Sequence, residues 1–153
     1  MHEVEIRLEE LLPVMEMQLK AGKYVRFSPM GVSMLPMLRQ KRDSVVLSPV
    51  TGPLEKYDLP LYRRDNGQFI LHRIIKAGET CTCMGDNQFV PEPGIRQDQI
   101  IGVVTAFYRE KRSYPVTDFR YRFYCRFWHC TRPLRHFWRR GVGKLRRIWK
   151  IAS

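Results

Sequence analysis

Residues 65–76 read DNGQFILHRIIK. Asn66-Gly67 is a turn pair, because both residues accept positive φ, and the stretch after it is rich in aliphatic side chains. Coming after LPLYRR (59–64), the turn predicts a β-hairpin, with one long strand, QFILHRIIK, over 68–76. The surroundings read the same way. KYVRF (23–27), DSVVLSPV (43–50), TCTCM (80–84) and IIGVVTAFY (100–108) are short β-rich runs bounded by glycine, proline and asparagine. Between the last two lies GDNQFVPEPGI (85–95), which reads as a loop. Many short strands with few helices predict a mainly β fold, a small barrel or coiled sheet.

Two helices flank this centre. In residues 4–21, Val4, Leu8, Leu11, Leu12, Met15 and Leu19 recur at helical spacing, Pro13 interrupts, and Gly22 ends the run. Past Pro133, the apolar residues Leu134, Phe137, Trp138, Val142, Leu145, Ile148 and Trp149 recur likewise, with arginines and lysines between them. Residues 119–130, FRYRFYCRFWHC, fit either period. The expected organisation is therefore an N-terminal amphipathic helix over 1–22, a β domain over 23–112 and a basic aromatic helical tail over 113–153.

Charge divides the chain in the same way. Of the net charge of +12, residues 119–153 carry +11 with no acidic residue, so the first 118 are nearly neutral. An isoelectric argument for the whole chain would mislead. No secretory signal is expected at the acidic N-terminus, and no run of 18 apolar residues predicts a bilayer span. The four cysteines, 81, 83, 125 and 130, are expected to be free thiols, with Cys81 and Cys83 on opposite faces of a strand. Free thiols favour a reducing compartment, the cytoplasm. No second well-spaced pair joins Cys125, His129 and Cys130, so no metal site is expected, and no cofactor.

The chemistry-bearing residues are few. Ser33 lies in GVSMLPML (31–38), His72 in FILHRII (69–75), and Asp86 in MGDNQ (84–88). Each alone has a simple structural account: a turn serine, a core histidine, a loop aspartate. Together, in this order and at this spacing, G-x-S-M-x-P-x-L, H-R-I, G-D-N and I-I-G-V-V resemble the serine peptidase superfamily of signal peptidases and LexA-type proteins. The matching residues are Gly31, Ser33, Met34, Pro36 and Leu38; His72, Arg73 and Ile74; Gly85, Asp86 and Asn87; and Ile101, Gly102 and Val103. The likeness spans about residues 24–108. It is nearest to the histidine-type enzymes of the endoplasmic reticulum and archaea, which pair histidine with a following arginine.

The resemblance implies a nucleophile at Ser33 and a general base at His72, with the Ser33 N–H as an oxyanion donor. Serine needs such a base to become a nucleophile, and neutral imidazole accepts a proton near pH 7. The third member, a carboxylate that would hold the imidazole, is Asp86 or Glu92: the family's aspartate position falls on Glu92. Asp86 has an alternative role in holding its loop. Where signal peptidases often carry a second serine, this chain has Gly31. Met34, Leu35, Met37 and Leu38 are expected either to floor the cleft or to pack the core. The implied substrate is a peptide or protein with a leader or signal-like segment, bound extended.

The expected function is thus a serine endopeptidase. The alternatives are a non-catalytic peptide-binding module of the same fold, or an adaptor acting through the tail. Tryptophans on a basic amphipathic helix favour an anionic membrane surface, at the inner membrane face, over nucleic acid as the partner of 119–153; the other alternative is an apolar stripe packed on the barrel with its arginines solvated. A LexA-type regulator is disfavoured, because no DNA-binding domain is expected before residue 24.

Overall fold

The computed structural model describes residues 8–138. Helix α1, Leu8–Lys20, buries Leu12, Met15 and Leu19. Leu11, expected on the same stripe, lies at its edge and faces outward. The helix runs through Pro13, which sits on the exposed side. It ends in a Schellman closure: Lys23 N–H donates to the Gln18 carbonyl and Gly22 N–H to that of Leu19, with Gly22 at φ +76°. Val4 lies outside the described residues.

The strands form two antiparallel sheets, and among the described residues neither closes into the expected barrel. In the first, β1 (Val25–Phe27), β2 (Asp43–Ser48), β8 (Ile100–Arg109), β3 (Pro60–Arg63) and β4 (Phe69–Leu71) lie side by side in that order. Strand β9 (Arg112–Pro115) pairs β8 farther along. The second sheet holds β5 (Arg73–Lys76), β6 (Cys81–Met84) and β7 (Glu92–Ile95). The main core lies under the first sheet, with Leu12, Met34, Leu38, Val45, Leu47, Leu61, Val104 and Phe107 among its members. A smaller core gathers Tyr62, Ile74, Cys81, Cys83 and Ile95 between the sheets.

The expected strand 68–76 is two strands. Leu71 pairs Leu61 in the first sheet, Arg73 pairs Met84 in the second, and His72 is the single residue where the chain changes sheets. The segment 85–95 is not all loop, because Glu92–Ile95 makes an edge strand. Pro93 is tolerated there, since an edge leaves one row of backbone donors unpaired. Cys81 and Cys83 are both buried in the same small core and share a face, not opposite ones, as residues two apart on a strand must. All four cysteines are free.

The tail does not begin at the expected domain boundary; the change in charge at 118/119 coincides instead with the start of a helix. The boundary at 112/113 cuts through β9. The ambiguous segment is a helix, α2 (Phe119–Cys130), capped by Asp118, whose side chain accepts from Arg120 N–H at 2.7 Å. Its Tyr121 and Cys125 join the main core. Residues 132–138 are helical again, and the remainder of the expected tail helix lies outside the described residues. Among the described residues no helix is long and apolar enough to cross a membrane.

Candidate active site

Ser33 sits half-buried in a turn between β1 and β2. The G-D-N segment holds that turn. Asn87 N–H donates to the Ser33 carbonyl at 2.8 Å, and Asn87 Nδ2 to the Val32 carbonyl at 3.1 Å. Gly85 lets the two backbones approach: a Cβ there would lie 2.6 Å from the Ser33 carbonyl oxygen. Beneath the serine, Met34, Met37 and Leu38 are buried. Met34 and Leu38 both line the cleft and belong to the core, while Met37 Sδ lies 2.8 Å from Arg73 Nη2. Leu35 does not line the cleft; it is joined to Pro36 by a cis peptide.

Ser33 and His72 line one cavity of about 90 Å³, together with Pro29, Met30, Phe69 and Leu71. No hydrogen bond joins their side chains in this state. Apo geometry of catalytic pairs is commonly longer than in the loaded enzyme. The ring of His72 is buried, at 3% exposure, and burial pushes its imidazole down to about 4 against the opposing pull of the Glu92 carboxylate. It is therefore neutral, and able to accept a proton, across the physiological range.

The two candidate carboxylates are sorted by the alternation of the strand. Asp86, 1% exposed, takes two hydrogen bonds from Arg73, the residue after His72, and a third from Tyr124 Oη at 3.1 Å. It makes no hydrogen bond to His72; its position is that of the loop-holding role. Its backbone carbonyl also accepts from Trp128 Nε1 at 2.8 Å, so this network fastens α2 to the β sheets. Glu92 lies on the histidine side. Arg64 donates to it twice, Nε to Oε1 and Nη2 to Oε2, each at 2.6 Å, and these bonds hold its carboxyl below its ordinary value. Glu92 reaches His72 through Tyr62, whose hydroxyl donates to Oε2 at 2.8 Å and lies 3.4 Å from His72 Nδ1.

Tyr62 and Arg64 escaped the sequence reading. The Asn-Gly hairpin contained the signal: its register sets Tyr62 opposite Ile70, diagonal to position 72. Among the described residues no three side chains gather as metal ligands. No protein-family model, curated protein or solved structure matches this chain.

Proposed function

We propose that the chain is a serine endopeptidase with the signal-peptidase/LexA type of fold and site. The observation that carries this reading is the meeting of Ser33 and His72, distant in sequence, in one small cavity beside an edge strand. Ser33 Oγ attacks the scissile carbonyl as His72 takes its proton; the same proton passes to the leaving amine, and water then releases the acyl group. The Ser33 N–H supplies an oxyanion donor. Glu92 is the carboxylate that supports the imidazole.

The substrate lies extended along β4, an outer strand of the first sheet, whose residues 69–71 line the cavity beside Ser33. A volume of about 90 Å³ equals about three waters at liquid density. A cavity this small suits the small side chains expected next to the cut in a leader-type segment. No cofactor enters the mechanism.

A fluorophosphonate probe tests the reading, because it forms an adduct only with an activated serine. The folded chain should gain one adduct, mapped to Ser33 by peptide mass, that is lost in Ser33→Ala and His72→Gln. A folded wild-type chain that stays unlabelled would leave the fold as a peptide-binding module without catalysis.

A second reading concerns where the protein works. Helix α2 buries Tyr121 and Cys125 and turns Phe119, Phe123 and Phe127 outward, the last two stacked at 6.0 Å between centroids. Arg122 and Arg126 border this ridge on one side and Arg120 on the other, all exposed. An apolar centre with cationic margins suits peripheral attachment to an anionic membrane.

A further inference from the structure

Tyr62 has no exposed surface, and its hydroxyl lies within reach of both the candidate base and the candidate carboxylate. Three segments of the chain bring this about. Tyr62 is on β3, Glu92 opens β7 in the other sheet, and His72 is the link between β4 and β5. The proton inventory then fixes the direction of each bond. Glu92, gripped by both arms of Arg64, is ionised and accepts only. The single phenol proton is therefore committed to Glu92 Oε2, at 2.8 Å. What the phenol offers His72 Nδ1, at 3.4 Å, is an oxygen lone pair. A neutral imidazole facing an acceptor carries its hydrogen on that nitrogen. Nδ1 is then protonated, and Nε2 holds the lone pair.

We propose that Tyr62 is a positioning residue of the active site: it relays the polarity of Glu92 to His72, fixing the Nδ1–H tautomer so that Nε2 is the base for Ser33. This rests on the reading of Ser33 and His72 as nucleophile and base. The carboxylate thus acts on the imidazole through a phenol, with Arg64 keeping it charged. As His72 gains the Ser33 proton at Nε2, the imidazolium keeps its Nδ1–H directed at the phenol oxygen, and no proton leaves Tyr62. The phenol is suited to that fixed role, since burial, reinforced by its bond to Glu92, raises its pKa well above the ordinary tyrosine value.

Two readouts on the full-length chain separate this proposal from the one beneath it. Nitrogen-15 correlation spectra at pH 7 report the His72 tautomer without any need for activity. The wild type should show protonated Nδ1 and bare Nε2; Tyr62→Phe should lose that bias and label with fluorophosphonate at least about tenfold more slowly. In Glu92→Gln the freed phenol proton turns toward Nδ1, and the tautomer should shift to Nε2–H. This variant decides the matter if Tyr62→Phe fails to fold. A wild-type Nε2–H tautomer, or one unchanged by Tyr62→Phe or, failing that, by Glu92→Gln, would overturn the role of Tyr62 even if Ser33 is labelled. Absent labelling with the expected tautomer shifts would sink the catalytic reading and leave the relay standing.

Discussion

Arg73 grips Asp86 through two parallel hydrogen bonds, Nε to Oδ1 at 2.9 Å and Nη2 to Oδ2 at 2.8 Å, with both side chains all but removed from water. The remaining guanidinium donor, Nη1, meets Tyr121 Oη at 2.8 Å, the Tyr57 carbonyl at 3.2 Å and Cys125 Sγ at 3.0 Å. The pair is thus a rivet between the second sheet and α2. Consecutive residues of one segment divide the labour: His72 faces the serine cavity, and Arg73 faces the helix.

Breaking that rivet from one side should be severe. Arg73→Met leaves the Asp86 carboxylate buried and unpaired, a change that costs about 3–5 kcal/mol in comparable settings. Urea unfolding of the variant should show a loss of that order. The double variant Arg73→Met/Asp86→Asn should lose less than the two single losses added together, because the stranded charge is gone. A single-variant loss below about 1 kcal/mol would mean that the pair does not hold α2 in place.

Gly85 makes a different kind of prediction, because its importance is one of space. An alanine Cβ there would meet the Ser33 carbonyl oxygen at 2.6 Å and Ser33 Cβ at 3.1 Å. Something must move, and the nearest backbone is the turn carrying Ser33. Gly85→Ala should cost about 1–3 kcal/mol in stability. It should slow labelling of Ser33 much more, by up to about 100-fold for a displacement near 1 Å. Unfolding curves and labelling rates measured on the same preparation check both; equal labelling would show that the turn absorbs the methyl without moving Ser33.

These particulars show what the sequence revealed and where local patterns ran out. The Asn-Gly turn announced the β3–β4 hairpin, and the apolar spacing announced α1. The β8–β9 hairpin was silent because its turn is Glu110-Lys111, with Glu110 at φ +56° and neither glycine nor asparagine to mark it. The change of sheet at His72 left no trace, since FILHRIIK is apolar on both sides of the break. That Ser33 and His72 line one cavity agrees with what the family resemblance implied and with no local pattern. That Asp86 bonds Arg73 while Glu92 bonds Tyr62, beside His72, depends on which way each side chain faces, and no local pattern shows that. Local periodicity also misplaced the tail: residues 119–130 satisfy both periods, and only packing of Tyr121 and Cys125 against the sheet settles them as helix.

Acid should destabilise this fold partly through one imidazole. His72 has its pKa lowered to about 4 in the native state, against an ordinary 6.5 in the unfolded chain. Between those values the unfolded state binds a proton that the native state refuses. The group's contribution is complete above pH 6.5 and is lost as pH falls toward 4, amounting to up to about 3 kcal/mol. Urea midpoints measured from pH 7.5 to 4 should fall more steeply for the wild type than for His72→Asn. Parallel curves would show that the ring is not buried neutral. The same displacement predicts that the acid limb of Ser33 labelling lies near pH 4, well below the limb of an exposed histidine.

The ridge on α2 lends itself to substitution because its members take no part in the core. Deleting residues 119–153 would be uninformative, since Tyr121 and Cys125 would go with them. Phe123→Ser and Phe127→Ser, at 59% and 53% exposure, remove apolar surface and leave the packed face intact. The wild type should sediment with vesicles rich in phosphatidylserine and scarcely with neutral phosphatidylcholine vesicles. The double phenylalanine variant should lose that binding at unchanged unfolding midpoint. Arg122→Gln with Arg126→Gln should weaken it by about 1 kcal/mol per charge removed, with a reduced salt dependence. Vesicle binding indifferent to the phenylalanines would place the attachment elsewhere. Binding to duplex DNA that falls with the arginines and ignores the phenylalanines would make the ridge's cationic margin a phosphate-tracking surface instead, because backbone phosphates reward charge and offer an apolar ring nothing to enter.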